Sequence, residues 1–298
     1  MTPPKQVIKQ APKQVLRMAL LTVSLLVALP ASAAAATSAP PAQPAPSAAP
    51  SAAPTAVPSA DPGLSPERAA VLARLYAECM ALARSDPDAA ILRAETWERD
   101  GGGDGARHCG AVAYLNSGRY EQAAERLDSL AASAEKALLR AELHAQAGQA
   151  WLIAGKPEKA LAAQTRALQA GGPKLEYLLD RAVTQASLGH YFDAIDDLTA
   201  VLDADPDRTE ALVMRATAWR KLRHHDLAAD DVGRALTLAP DDADALLERG
   251  NLRLIAGNRP GAVADWRAVL EKAPESIAAQ SARENLRRDA EAGPDPRK

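Results

Sequence analysis

Large aromatic side chains are scarce in this chain of 298 residues, which has one phenylalanine, five tyrosines and four tryptophans. A core with so few rings must be made of alanine, leucine and valine. Such residues bury their surface well when helices pack closely against one another. The scarcity therefore favours an all-α structure.

Signatures of catalysis and of cofactor binding are absent as well. The sequence has no Gly-x-Ser-x-Gly, no His-Glu-x-x-His and no Cys-x-x-Cys, which are the patterns of hydrolases, zinc proteases and redox enzymes. The glycines at 101–103 are followed by no Lys-Ser or Lys-Thr pair, so they form no phosphate loop. We expect neither an enzyme nor a cofactor.

A metal site has one candidate, the cluster His224-His225-Asp226. Adjacent histidines in a turn rarely hold one metal ion without a third ligand from elsewhere, so a solvated turn is the favoured interpretation. The alternative is a metal-binding protein, or an accessory subunit of an envelope enzyme, that uses His224 and His225.

Long apolar runs are also missing, apart from the 12 residues Met18–Leu29. A membrane-spanning helix needs about 20. Four basic residues precede the run and Ala31-Ser32-Ala33 follows it, as in a bacterial export signal. We therefore expect residues 1–33 to be removed and the protein to be periplasmic or secreted, without a membrane span. A retained anchor is the alternative.

The chain after the leader has a net negative charge, and its first thirty residues are rich in alanine, proline and serine. Residues 34–298 carry 31 basic and 38 acidic side chains, so no electrostatic footprint for nucleic acid exists. Residues 34–63 hold 12 alanines, 8 prolines and 4 serines, too little apolar bulk for a core. This segment is predicted to be a disordered linker, with a docking strip for a partner as the alternative.

A period of 34 residues organises the rest of the chain. Pro206, Pro240 and Pro274 follow this step, and five copies begin near Asp104, Ala141, Leu175, Thr209 and Ala243, with about three extra residues near Ser133–Lys136. Small residues recur once in each half of a copy. The first such column is Ala111, Gly148, Ala182, Ala216 and Gly250, and the second is Ala123, Ala160, Ala194, Ala228 and Ala262. They let paired helices approach closely.

In period, small-residue columns and closing proline, residues 104–275 resemble the tetratricopeptide repeat family. The resemblance implies a right-handed superhelical solenoid of five helical hairpins, flanked by an N-terminal helical cap (64–103) and a C-terminal capping helix with a tail (276–298). It also implies a scaffold that binds a protein or peptide in a groove lined by the first helix of each hairpin.

Transferring that groove to this sequence gives a largely apolar surface with one basic spot. The candidate groove residues are Ala145, Leu179, Val183, Val213, Thr217, Arg220, Lys221, Leu247 and Asn251. The alternative is that part of this row belongs to the core between helices.

Two further interactions are predicted from internal comparison and from export. Cys79 and Cys109 would meet an oxidising compartment, which favours a disulfide between cap and first repeat over two separate buried thiols. Arginines in the first helix and aspartates in the second occur together in repeats three to five and are both missing from repeats one and two. We expect ion pairs rather than solvated charges among Arg181, Arg215, Arg249, Asp197, Asp231 and Asp265.

Overall fold

The computed structural model describes residues 65–171 and 174–292. The predicted leader at 1–33, the predicted linker at 34–63 and residues 293–298 lie outside these ranges. Within them, the chain forms thirteen helices joined by short turns. In chain order they are α1 (Pro66–Ser85), α2 (Pro87–Arg99), α3 (Gly103–Asn116), α4 (Tyr120–Ser133), α5 (Ala137–Ile153), α6 (Pro157–Gly171), α7 (Leu175–Leu188), α8 (Tyr191–Ala204), α9 (Thr209–Lys221), α10 (His225–Leu238), α11 (Ala243–Ile255), α12 (Arg259–Lys272) and α13 (Ile277–Ala292).

The helices are arranged as consecutive hairpins. Each first helix packs against the second helix of its own hairpin, and that second helix packs against the first helix of the next. The first helices α5, α7, α9 and α11 also contact one another in series. The all-α helical solenoid that the 34-residue period predicts is thus confirmed. Since successive first helices contact one another, we assign them to the inner, concave layer of the solenoid.

The turns inside the hairpins need a left-handed residue at one position. Glycine supplies it at Gly118, Gly155, Gly189 and Gly257, with φ between 73° and 81°. In the fourth hairpin Arg223 stands at the same position with φ 66°. A side chain with a Cβ is strained in this region, so the conformation of this turn disfavours Arg223.

The small-residue columns meet where paired helices cross, and side chains of the second helix pack against them. A Cβ added to Gly148 would lie 2.6 Å from Gln164 Cγ, and one added to Gly250 would lie 2.6 Å from Trp266 Nε1. Where the first helix has alanine instead, as at Ala182, the opposite position holds Leu198, which is buried. Glycine at these crossings thus makes room for a side chain that lies directly against the backbone of the first helix.

The second repeat departs from the prediction. The loop before it, residues 134–136, is no longer than its counterparts, and the three extra residues instead lengthen α5, which has 17 residues against 14 in α7. The sequence places a start at Ala141, but the helix begins at Ala137. No proline or glycine stands between these positions to stop the helix from extending backwards.

The two ends of the solenoid are closed by helices that bury small residues. At the C-terminal end, α13 covers Trp266 and Val269 with Ala278, Ala279 and Ala282, all buried. At the N-terminal end, α1 and α2 pack on α3 around Trp97. Among the described residues no helix is both long and apolar enough to cross a membrane.

A disulfide fixes the N-terminal end. Cys79 of α1 is joined to Cys109 of α3, with their Cα atoms 6.1 Å apart. Both cysteines are buried, at 1% and 0% exposure. The bond therefore links the cap to the first repeat inside a shared core cluster, as the sequence predicts.

Candidate functional site

The apolar row predicted for the groove is mostly part of the core. Ala145, Leu179 and Val213 are 5%, 6% and 8% exposed, and Leu179 and Val213 pack in one cluster with residues of the second helices. Of this row, Leu247 is partly exposed. The alternative interpretation, packing between helices, therefore describes three of the four residues. The physical reason is that the first helices touch at this position, which leaves no room for a ligand.

The neighbouring predicted row is more open but is held by local contacts. Val183 packs on the core of repeats one and two, and Thr217 is partly exposed. The Asn251 side chain donates to Glu248 at 3.4 Å and accepts a hydrogen bond from Asn285 Nδ2 at 2.9 Å. These contacts connect the last repeat to α13.

The predicted basic spot is largely neutralised. The Arg220 guanidinium donates to both carboxylate oxygens of Glu248, with Nη2 3.1 Å from Oε2. The Glu248 residue is 4% exposed, so the pair joins α9 to α11 under the surface. Of the two basic residues, Lys221 remains exposed. The sequence did not predict this pairing of Arg220, because Glu248 lies on the first helix of the next repeat at a position outside the predicted groove.

Acidic side chains recur in the concave layer, and none of them is among the predicted site residues. They stand at one repeat position in four consecutive first helices, namely Glu142, Glu176, Glu210 and Asp244. Asp180 lies one turn after Glu176 on α7. The 34-residue step that revealed the alanine columns also reveals this one. These five carboxylates are called the acidic stripe.

Two members of the stripe have a raised pKa, chiefly because of burial. Burial raises the pKa of Asp180 to about 6, with further contributions from the negative charges of Glu210, Glu176 and Glu142, while a hydrogen bond from Gln149 opposes the shift. Burial likewise raises the pKa of Asp244 to about 6, together with the charges of Asp242 and Glu210. The negative charge of Glu210 contributes to both shifts.

The N-terminal end of the stripe is tied into a hydrogen-bond network. Tyr177 donates its hydroxyl proton to Glu142 Oε2 at 2.9 Å, and burial, followed by the Glu142 charge, raises the pKa of Tyr177. Two hairpins earlier, the Tyr76 hydroxyl of α1 lies 2.9 Å from His108 Nδ1 of α3. Burial lowers the pKa of His108, against hydrogen bonding to Gln146 and the Glu142 charge. Neighbouring first helices are thus joined by polar contacts along the inner layer.

The three arginine–aspartate pairs lie behind the groove, between the helices of each hairpin. Every arginine donates through Nε and Nη2 to both oxygens of the aspartate in its own repeat, as the two-pronged geometry of a guanidinium favours. The Nη2 distances are 2.7 Å for Arg181–Asp197, 2.7 Å for Arg215–Asp231 and 2.8 Å for Arg249–Asp265. The aspartates are 6%, 4% and 3% exposed. These charges are therefore ion pairs with buried aspartates, and the alternative of solvated charges does not hold.

Repeats one and two place other polar groups between their helices. Asp128 accepts hydrogen bonds from Trp151 Nε1 at 2.8 Å and Arg166 Nη2 at 2.9 Å, and it lies 3.2 Å from His144 Nδ1. Burial acts to raise the pKa of Asp128, but these partners outweigh it and the pKa is lowered. The cluster joins repeat one to repeat two. It was not predicted because no other repeat carries a copy of it.

The two histidines of the fourth hairpin do not converge. His224 is exposed and meets Trp219 edge-on, with ring centroids 5.5 Å apart. His225 begins α10. Over residues 65–171 and 174–292, no group of three histidine, cysteine or acidic side chains could hold a metal ion. No third ligand for this pair is found there.

Comparison with known proteins gives structural similarity alone. No family model and no curated protein matches this chain. A crystal structure of MamA aligns with a TM-score of 0.48 and 16% identity over 54% of this chain and 93% of that one. MamA from Desulfovibrio magneticus RS-1 gives 0.49 and 19% over 54% and 89%. YrrB, described as a TPR protein with an unusual peptide-binding site, gives 0.48 and 17% over 64% and 96%.

Proposed function

We propose that this protein is a non-enzymatic scaffold that holds a segment of another protein on its concave face. The observation that supports this most is the acidic stripe, which presents one carboxylate per repeat in four consecutive first helices. Charge complementarity makes a lysine- or arginine-rich segment the expected ligand. The groove is thus expected to bind through charge at its surface rather than through the buried Leu179 and Val213.

The location that fits this role is the bacterial envelope. The basic leader, the apolar run and the small-residue site before Ala34 support export, and the disulfide is of a kind that persists in an oxidising compartment. Export predicts a mature N-terminus at Ala34 in protein isolated from the envelope fraction. Full-length protein with Met1 intact in the membrane fraction would indicate a retained anchor instead.

Binding is tested with a peptide series and matched variants. Fluorescein-labelled peptides of equal length, rich in lysine and arginine or rich in glutamate, are titrated with the protein at two salt concentrations. We expect the basic peptide alone to bind, and to bind more weakly at higher salt. Replacing Glu176 and Glu210 by glutamine should weaken this binding.

The control places the same charge change on the outer layer. Asp196 and Asp230 are exposed on the second helices and are also 34 residues apart, so the pair Asp196→Asn and Asp230→Asn removes two negative charges without touching the stripe. Equal weakening by both double variants would show non-specific attraction. Binding that is unchanged in the Glu176→Gln and Glu210→Gln variant would contradict the concave face as the site.

A further inference from the structure

The turns inside the last three hairpins lie along one edge of the solenoid, at residues 186–193, 220–227 and 254–261. They share an edge because the hairpins stack in sequence with their first helices in contact. The hydrogen bond from Asn285 Nδ2 to Asn251 Oδ1, at 2.9 Å, joins residues 34 apart and shows that neighbouring first helices keep the same register. These three stretches are called the turn rim.

The turn rim exposes large apolar side chains. Of the eight large hydrophobic residues that are exposed in the described part of the chain, half lie on it, namely Phe192, Leu227, Leu254 and Ile255. Phe192 is the one phenylalanine of the whole sequence, and it is 61% exposed at the start of α8. A chain that has few rings for its core thus leaves one of them in water.

The repeat itself shows that the fold does not require apolar residues at these places. The position of Phe192 is taken by Glu158 in repeat two and by Asp226 in repeat four. The position of Leu227 is taken by Asp193 in repeat three. An apolar side chain that stays exposed where equivalent positions carry a charge indicates a surface that loses water when something binds to it.

Arg223 is a second unusual residue of the turn rim. Its φ of 66° lies in the left-handed region, where the other four hairpins have glycine. Strain of this kind is found where a side chain has a use. Arg223 and Lys221 are both exposed, so the strained turn presents two cations close to the apolar residues.

The two edges of the solenoid differ in charge. The turn rim has four basic and two acidic residues, namely Arg220, Lys221, Arg223, Arg259, Asp193 and Asp226. On the opposite edge, the stretches between hairpins at 203–210, 237–244 and 271–278 have two basic and nine acidic residues. An anionic surface is therefore repelled by that edge and can approach the turn rim.

Not all of the basic residues of the turn rim point to a ligand. Arg220 and Arg259 are paired with carboxylates of α11 and α13. The cations that remain exposed are Lys221 and Arg223. Together with the apolar residues of three successive turns, they form the combination that binds at the boundary between lipid headgroups and acyl chains.

We propose that the turn rim of repeats three to five lies on the surface of an anionic lipid bilayer. Phe192, Leu227 and Ile255 enter the boundary between headgroups and acyl chains. Lys221 and Arg223 contact the phosphate groups of the lipids. The acidic edge then faces away from the membrane.

This orientation leaves the acidic stripe free for a peptide. Glu176, Glu210 and Asp244 lie in the first turns of their helices, and therefore towards the edge opposite the turn rim. The membrane proposal does not rest on the proposed function, and each can fail without the other.

Lipid binding is measured by co-sedimentation with vesicles. The chain from Ala34 onwards is used, which contains every described helix and lacks the apolar run at 18–29. We expect binding to vesicles made of equal parts of phosphatidylglycerol and phosphatidylcholine, and weaker binding at higher salt. Vesicles of phosphatidylcholine alone should bind less. If the anionic vesicles do not bind, the proposal is overturned and the turn rim is left for a protein partner.

The apolar part of the surface is tested with a matched pair of double variants. Phe192→Ser with Ile255→Ser should weaken binding to the anionic vesicles about tenfold, because two exposed apolar side chains no longer enter the bilayer. Leu138→Ser with Leu238→Ser removes two exposed leucines from the opposite edge and should leave binding unchanged. Equal binding by the two double variants would contradict the turn rim as the site.

Arg223→Gly separates a role in binding from a role in the fold. Glycine removes the strain and should stabilise the protein, whereas loss of the cation should weaken binding to anionic vesicles about fivefold. Lys136→Gln, an exposed cation on the opposite edge, is the control. Unchanged lipid binding in Arg223→Gly would rule out the phosphate contact. The basic peptide described above should bind the turn-rim variants like wild type, and a joint loss of peptide and lipid binding would contradict two separate surfaces.

Discussion

Repeats three to five and the N-terminal part of the solenoid pack their helices in the same way but fix them by different chemistry. In repeats three to five, each hairpin contains its own buried arginine–aspartate pair, such as Arg215 with Asp231. In the N-terminal part, the Cys79–Cys109 disulfide joins the cap to repeat one and Asp128 joins repeat one to repeat two. The repeated arginine–aspartate pairs act within hairpins, whereas the disulfide and the Asp128 contacts, which occur once, act between hairpins.

Arg126 shows how the two regions diverge at a single position. It occupies the repeat position of Asp197 but carries the opposite charge, and it reaches backwards to Glu98 of the cap at 3.3 Å. Its guanidinium also lies 5.1 Å from the centre of the Tyr114 ring. An ion pair to the preceding hairpin thus stands where repeats three to five have one within the hairpin. The comparison shows that the space between the two helices of a hairpin must be filled, and that either an ion pair within the hairpin or other polar contacts can fill it.

The largest expected effect comes from breaking one pair in the repeated region. Arg215→Met should lower the free energy of unfolding by about 3–5 kcal/mol, because Asp231 is left buried without its partner. The measurement is chemical denaturation at pH 7. Lys221→Met, an exposed cation on the same helix, is the control and should change stability little.

A second variant separates loss of the pair from loss of packing. Arg215→Met combined with Asp231→Leu removes both charges and should recover much of the loss, since apolar residues of similar size replace a buried ion pair well. Thermal midpoints that are equal for wild type and Arg215→Met would show that this pair does not stabilise the repeat.

The corresponding break in the N-terminal part is removal of the disulfide. The Cys79→Ala and Cys109→Ala double variant should be less stable by about 3–4 kcal/mol in the chain-entropy model, for a sequence separation of 30. Because repeats contact only their neighbours, hydrogen exchange should rise in α1 to α3 and stay unchanged in α9 to α12. Mass analysis of exported protein without reductant must first show the two cysteines joined, and two free thiols would contradict the bond.

The smallest expected effect on stability comes from giving the fourth hairpin the glycine that the other hairpins have in this turn. Arg223→Gly should raise the free energy of unfolding by about 1 kcal/mol, because glycine adopts the positive φ of this turn without strain. Gly189→Ala at the matching turn should lower it by a similar amount, and no atom lies within 4 Å of the added Cβ to complicate the result. A loss of stability in Arg223→Gly would mean that the arginine side chain itself holds the turn.

Periodicity predicted the architecture and the ion pairs, because both repeat. Ala182 and Ala216 marked the crossings, and the joint absence of arginine and aspartate from repeats one and two indicated that the charges are paired. Asp128 had no such signal, since its partners His144, Trp151 and Arg166 come from two different helices and from no shared column. The sequence contains these residues but not the distance between them.

Three residues of the predicted groove are buried, and the sequence did not show this for a different reason. Its rows were transferred from the resemblance to tetratricopeptide repeats, which placed Leu179 and Val213 against a ligand. Their exposure depends on how closely neighbouring first helices approach, and the repeat columns do not contain that distance. The same periodic comparison applied to Glu176 and Glu210 would have found the acidic stripe. It was missed because acidic residues in a first helical turn are common for helix-dipole reasons alone.

Ion pairs that lie within one hairpin also affect which repeats can be duplicated or deleted. Duplication of residues 209–242 would copy Arg215 together with Asp231, so the inserted module arrives with its buried charge already neutralised. Deletion of the same module removes both at once, but it also removes Arg220 and leaves the buried Glu248 without its partner. The cap and repeats one and two lack this freedom, because cutting between them separates Cys79 from Cys109 or Asp128 from Arg166. Gain of a whole module is therefore expected to be tolerated better at the C-terminal side of Leu175 than before it.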